Sequence, residues 1–315
     1  MVNHPHPPNA GRLRLPPSHG MWQPLDVVAS TGSTNADLLA YAVAGPASAG
    51  SGASSGSAGS SGAASASAAS SGAGSASAGS SGAGSDGFGS DGAEGRVLVA
   101  EEQTAARGRR GRSWSSPPGA SLSFSVLLRP ASVPPGRRGW LPLLTGVAVA
   151  SAVRSVAGVD AVLKWPNDVL VGERKLAGIL AEQSPDGAAV VVGVGLNVAI
   201  PADALPVSPT GLAATSLLVE GAPVSREPLL LAILSELERW YAAFRADPDP
   251  VGSGLLAAYR PLCTTLGRAV RVELPAGRVL AGTATEVDAD GRLLVTPSPD
   301  APPTPVSAGD VVHVR

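Results

Sequence analysis

Residues 164–180 read KWPNDVLVGERKLAGIL, and this stretch predicts a β-hairpin. Trp165 and Pro166 end a first strand, Gly172 and Glu173 form the tight connection, and Leu176, Ile179 and Leu180 carry the return into a core. The hairpin gathers Lys164, Asn167, Asp168 and Lys175 in one small region. Asp and Asn oxygens are hard ligands of the kind magnesium takes, and ammonium groups neutralise phosphate charge. The same residues also read as a plain turn, because proline presets φ and Asx side chains satisfy turn backbone. The stretch alone leaves both readings open.

Upstream, VLVAEEQ (97–103) predicts a strand that delivers Gln103 to the loop TAARGRRGRSW (104–114). Arg107, Arg109, Arg110 and Arg112 alternate there with Gly108 and Gly111, so several guanidinium groups converge where the backbone can approach a ligand. Trp114 stands at the exit. The strand SLSFSVLLR (121–129) follows, with Leu122, Phe124, Val126 and Leu128 on one face, so the loop joins two core strands. A phosphate or an anionic intermediate suits such a loop, and a solvated basic turn or a nucleic-acid patch competes with that reading. The chain has no GxxxxGK[ST] phosphate loop, and GRRG is too irregular for a dinucleotide fingerprint.

Further out, Leu25 to Ala29 predicts a strand and STGSTNADLLAYAVA (30–44) a helix start, with Thr34 or Asn35 as cap and Asp37 in the first turn. Trp140 to Ala157 predicts an apolar helix. AAVVVGVGLNVAI (188–200) predicts a buried strand whose Gly193 and Gly195 allow close approach and whose end carries Asn197. Thr215 to Leu218 begins another segment, and helices are expected over Glu227 to Arg245 and Gly252 to Leu262. From Arg268 the pattern changes to short strands, RAVRVEL, RVLAGTATEV, GRLLVTP and VVHVR, the signature of a small closed β-barrel.

Composition narrows the classes. The formal net charge of -2 argues against nucleic-acid binding driven by a global positive field. Cys263 is the single cysteine, which excludes a disulfide framework or a Cys-based zinc site and fits a reducing cytoplasm. Residues 46–95 are almost entirely Ser, Gly and Ala, with Phe88 the one bulky apolar side chain, so they are expected to form a long flexible loop outside any core. Residues 1–21 are expected to be a disordered lead-in without a signal peptide, and no apolar stretch is expected to cross a membrane. His4, His6, His19 and His313 are all expected outside the site, which disfavours nucleophilic triads. Chemistry that runs on charge stabilisation fits better. A carboxylate attacking the α-phosphate of ATP is already ionised at neutral pH and needs no base.

Taken together, GSTN, EEQTAARGRRGRSW, KWPNDVLVGERKLAGIL and GVGLN, in this order and followed by a small barrel, resemble the biotin–protein ligases, also called biotin–[acetyl-CoA-carboxylase] ligases. The resemblance implies an α+β fold. A mixed β-sheet with helices over residues 22–265, similar to the class II aminoacyl-tRNA synthetases, would carry catalysis, and a C-terminal SH3-like β-barrel would span 266–315. It implies that biotin and MgATP form biotinyl-5'-AMP and pyrophosphate, and that the biotinyl group passes to one lysine of a biotin carboxyl carrier domain of an acyl-CoA or pyruvate carboxylase. Carried over by motif, Ser33, Thr34, Asn35 and Gln103 would line the biotin pocket, and Arg107, Gly108 and Arg109 would close over biotin and the adenylate. Lys175 would contact the biotin carboxylate and, with Arg109 and Arg112, serve catalysis. Arg112, Trp114, Lys164, Asn167 and Asn197 would bind ATP, and Asp168 and Asn197 the magnesium ion. Ala106 departs from the family's usual glycine, which puts the suppleness of the arginine loop in doubt. The chain is expected to be a cytoplasmic monomer or weak homodimer that binds neither nucleic acid nor membrane. An N-terminal DNA-binding domain, present in some members, is not expected here. Two rival functions share these features: a lipoate or octanoate ligase or transferase of the same catalytic fold, and a non-catalytic biotin-binding regulator.

Overall fold

The computed structural model describes residues 13–44, 94–112, 114, 116–206, 212–274, 278–307 and 310–314. The first twelve residues of the expected lead-in, and residues 46–93 of the Ser/Gly/Ala tract, lie outside them.

Seven strands make the main sheet: β1 (Leu25–Thr31), β2 (Val97–Gln103), β3 (Ser121–Leu128), β4 (Ala161–Lys164), β5 (Asp168–Val171), β6 (Arg174–Gln183) and β7 (Val190–Asn197). Their order is β1-β2-β3-β7-β6-β5-β4. β1 runs parallel to β2 and the other pairs are antiparallel, so the sheet is mixed. The inner strand β3 is buried along its whole length, which requires cover on both faces. On one face Leu122, Phe124, Val126 and Leu128 join the main core beneath α2 (Trp140–Ala157) and α3 (Arg226–Ala246). On the other, Leu127 and Val191 meet Leu38 of α1 (Thr34–Ala44) in a small second cluster, which leaves the rest of that face for a cavity.

A second, antiparallel sheet holds β8 (Ala269–Glu273), β9 (Val279–Val287), β10 (Leu293–Thr296), β11 (Thr304–Val306) and β12 (Asp310–His313) in the order β11-β10-β9-β8-β12. β11 arises inside the Pro-rich loop, where the sequence pattern marked no strand. The pairings end at β11 and β12, so among the described residues the sheet does not close through hydrogen bonds between those two strands. Its β9–β10 turn docks on the first sheet. Trp165 Nε1 donates to Gly291 O at 3.0 Å and Trp140 Nε1 to Asp288 O at 3.1 Å. Gly139 and Gly291 sit backbone to backbone, since a Cβ on Gly139 would lie 2.3 Å from Asp290 O.

Several expectations need correction. The 164–180 stretch is two successive hairpins, not one: Trp165–Asn167 is itself the tight link from β4 to β5, Gly172–Glu173 links β5 to β6, and Trp165 is a buried anchor. Residues 13–21 are not a loose leader, because Leu13 packs in the core and its N–H donates to Glu101 Oε1 at 2.6 Å. Glu94, placed at the end of the Ser/Gly/Ala tract, accepts from Tyr241 Oη at 2.6 Å and from the Arg129 N–H at 2.9 Å. The expected helix over 252–262 shortens to α4 (Leu255–Tyr259) and a 3-10 turn at Arg260–Leu262. Pro135–Ala157 is long and apolar enough to cross a membrane by length and composition, contrary to the sequence reading, yet 67% of its apolar window is buried inside the fold.

Candidate active site

The uncovered part of the α1 face encloses a cavity of about 780 Å³, bordered by Ser33, Thr34 and Asn35 of α1 and its lead, Gln103 at the end of β2, Arg107, Gly108, Arg109, Arg112 and Trp114 of the arginine loop, Lys164, Asn167, Asp168 and Lys175 of β4 to β6, and Asn197 at the end of β7. Every residue assigned to the site by motif therefore borders one space, whereas Arg110 and Gly111 of the arginine loop are not among its lining.

One end is built from uncharged hydrogen-bonding groups. Gln103 Oε1 accepts from the Thr34 N–H at 2.9 Å and lies 3.2 Å from Thr34 Oγ1, so the amide nitrogen is what Gln103 can offer a ligand. Ser33, not Thr34 or Asn35, caps α1: its carbonyl accepts from the Asp37 N–H and its Oγ, at 3.4 Å, lies near the Ala36 N–H. Thr34 and Asn35 are thus helical residues whose side chains turn into the sheet. Thr34 Oγ1 lies 2.7 Å from Ser125 Oγ, which donates to Asn35 Oδ1 at 2.6 Å. Asn35 Nδ2 donates to Leu180 O and Glu182. With both N–H groups committed, Asn35 supports the pocket from beneath. Gly193 makes this approach feasible, since a Cβ there would lie 2.2 Å from Asn35 Oδ1.

The other end is charged. Lys175 Nζ pairs with Asp168 Oδ1 at 2.6 Å and lies 5.7 Å from the centroid of Trp114. A β-bulge aims this lysine. Val169 pairs with Ala177 and Leu170 with Lys175, so Leu176 is an extra residue that shifts the alternation and brings Lys175 onto the face of Gly178. The Trp114 indole lies on the paired glycines Gly178 and Gly195; a Cβ on Gly195 would sit 2.7 Å from the ring. Asn197 Nδ2 donates to Thr215 O at 2.9 Å, leaving its buried Oδ1 without a hydrogen-bond partner among the described residues. Asp168 and this oxygen offer hard donors for a magnesium ion that keeps most of its water and takes further oxygens from substrate phosphates. The described residues contain no cluster of three or more His, Cys, Asp or Glu that could cage a metal by themselves.

Between the ends runs the arginine loop. Arg109 Nη1 donates to Asn167 Oδ1 at 2.9 Å, and Asn167 Nδ2 to Ile179 O at 3.1 Å, which ties the loop to the β4–β5 turn. The chain reverses at Arg110 (φ 58) and Gly111 (φ 72). Gly108 is extended, and a Cβ there would make only an ordinary contact, 3.5 Å from Arg112 O. Ala106 is buried and its carbonyl accepts from the Trp114 N–H at 3.0 Å.

The second sheet supplies a wall that the sequence did not announce. Thr264, Arg268 and residues 311–314 border the cavity, so His313 stands at the site, contrary to expectation. The Trp165 N–H donates to Thr265 Oγ1 at 3.1 Å, and that hydroxyl lies 3.1 Å from His313 Nε2. Burial, with Lys164 and Arg268 nearby, lowers the His313 pKa to about 4, against a smaller opposing pull from Glu173. The imidazole is therefore neutral at pH 7, and Nε2 can accept from Thr265. Glu182, Ser125 and Thr215 were also missed. Each is a common residue in a strand or turn, and only tertiary pairing reveals it.

Comparison with known proteins agrees with this architecture. Residues 88–198 match the model of the biotin/lipoate A/B protein ligase family, and residues 265–314 match the biotin protein ligase C-terminal domain. A biotin--[acetyl-CoA-carboxylase] ligase of Mycobacterium tuberculosis is 40% identical over 299 residues, covering 93% of this chain and 90% of that protein. This chain belongs to the biotin–protein ligase family. A ligase of the same name from Paracoccus denitrificans is 37% identical over 151 residues, 46% of this chain and 62% of its own length. The fold is shared with the biotin protein ligase of Aquifex aeolicus solved in complex with biotin and ATP, at TM-score 0.62 and 23% identity, over 92% of this chain and 98% of that one.

Proposed function

We propose that this chain is an ATP-dependent ligase that activates biotin as biotinyl-5'-AMP and transfers the biotinyl group to one lysine of a biotin carboxyl carrier domain. The observation that carries this reading is the single cavity with an uncharged hydrogen-bonding end and a Lys175–Asp168 end, joined by one arginine loop. Ser33, Thr34 and Gln103 suit the ureido ring of biotin, with Asn35 beneath them. In the first step a biotin carboxylate oxygen bonds to the α-phosphorus of ATP while the bond to the bridging β-phosphate oxygen breaks, and pyrophosphate leaves. Lys175, Arg109 and Arg112 neutralise charge where it builds up, Trp114 offers a face for the adenine, and Lys164, Asn167 and Asn197 hold the nucleotide. Magnesium held by Asp168 and Asn197 would offset phosphate charge. In the second step the carrier lysine's amine attacks the acyl carbon, AMP leaves, and the amine loses its proton. Arg107, Gly108 and Arg109 shelter the mixed anhydride from water between the steps.

The carrier of acetyl-CoA carboxylase is the acceptor suggested by the relatives' names, with those of other acyl-CoA and pyruvate carboxylases as extensions of the same reading. We assign 22–265 to the catalytic domain, with a class II synthetase-like sheet, and 266–315 to an SH3-like barrel, in a cytoplasmic monomer or weak homodimer. Incubation with labelled biotin, MgATP and a carrier domain tests the function. Label is expected on one carrier lysine and not on a carrier in which that lysine is arginine. Biotin binding without labelling would leave a non-catalytic regulator, and equal transfer of lipoate would point to the lipoyl branch.

A further inference from the structure

A chain of polar contacts runs from the uncharged end of the cavity to the arginine loop, and its last internal member is a residue to which nothing above gives a role. Glu182, on β6 two residues beyond Leu180, holds Asn35 Nδ2 through Oε2 at 2.8 Å and Arg107 Nη2 through Oε1 at 3.2 Å. Asn35 is buried, fixed by Ser125 Oγ, and Ser125 touches the Thr34 hydroxyl that also meets Gln103. Glu182 therefore has one oxygen on the rigid floor and the other on the loop. Its side chain is 25% exposed and that of Arg107 is 50% exposed. A half-open ion pair of this kind is weak enough to break and re-form. It is the contact expected of a latch and not of a core strut.

We propose that Glu182 is the positioning residue that latches the arginine loop closed over the adenylate, with Arg107 as its moving partner and Asn35 as its fixed one. The proposal rests on the ligase reading above, and its effect is separable from it. Glu182→Gln keeps an oxygen for Asn35 but loses the charge that holds Arg107, so the floor stays and the latch goes.

The test charges the full chain with biotin and MgATP, removes free biotin and nucleotide, and follows loss of bound biotinyl-5'-AMP. Glu182→Gln is expected to raise the escape rate about two- to five-fold, the effect of one partly exposed ion pair. In an Arg107→Ala background it is expected to add nothing. Trypsin cleavage of the unliganded loop should quicken in Glu182→Gln by a similar factor, which is read without any catalysis. Unchanged escape and cleavage, or an equal increment in the Arg107→Ala background, would overturn the latch while leaving the ligase intact. Wild-type protein that forms no bound adenylate would overturn the ligase reading itself, and the latch with it.

Discussion

In the proposed reaction the chemistry would turn on Lys175, whose ammonium lies 2.6 Å from Asp168 Oδ1 within the cavity and is pointed there by the bulge at Leu176. Lys175→Ala is expected to lower biotin-dependent pyrophosphate release by roughly 10²–10³, the usual effect of deleting one charge-stabilising group, with little change in thermal stability. Near-normal release would remove Lys175 from the mechanism. Gly195 tests the nucleotide end differently. A methyl group at 2.7 Å from the Trp114 ring must push the indole off the sheet, so Gly195→Ala should weaken ATP binding while leaving biotin binding nearly unchanged. Titration of each ligand by calorimetry separates the two, and equal ATP affinity would show that Trp114 does not cover the base. At this scale the sequence was informative about residue types and silent about direction. Lys175, Asp168 and Asn197 were legible as candidate chemistry, yet the commitment of the Asn35 amide to its neighbours was not, since it depends on Ser125 and Glu182 from other strands.

Among the elements, the arginine loop is the one proposed to shelter the intermediate. Arg109 pins it to the β4–β5 turn through Asn167. Arg109→Ala should release that pin, and adenylate should leave the desalted complex several-fold faster, consistent with loss of about 1–2 kcal/mol from one charge-assisted hydrogen bond; an unchanged escape rate contradicts the role. Long periodic elements were readable in advance: α2 spans Trp140–Ala157 as its apolar run predicts, and α3 differs from its predicted span by one residue at each end. The β4–β5 turn was not, because a four-residue strand such as β4 carries too little alternation to separate it from its neighbour. The cap of α1 was misjudged by one residue for a related reason: Ser33, Thr34 and Asn35 are all competent caps, and only the demands of Gln103 and Ser125 pull the latter two into the helix.

For the whole molecule, the two sheets share responsibility for the cavity, and the contact between them carries a pH dependence. Protonating His313 at Nε2 turns the acceptor facing Thr265 into a donor and places a cation near Lys164 and Arg268. The folded-state pKa, about 4, lies below the ordinary 6.5, so between those values the unfolded chain binds a proton that the folded chain does not. Stability must then fall as pH falls through that window and level off below it. The loss is on the order of 1 kcal/mol once partial exposure is allowed for. Urea midpoints at pH 7 and pH 5 should differ for the wild type and differ less for His313→Gln; identical differences would place the titration elsewhere. That a C-terminal strand borders the site at all could not be read from sequence, since nothing in short alternating strands says which other sheet they face.

In the proposed reaction one cavity joins biotin to ATP, with Lys175, Asp168 and the arginine loop holding the charge. Its most direct measurement is biotin-dependent exchange of labelled pyrophosphate into ATP by the purified chain with magnesium and no carrier present. Exchange is expected to require biotin, to fail with lipoate, and to collapse in Lys175→Ala. Exchange that is absent, or that proceeds equally with lipoate, would contradict the proposed reaction.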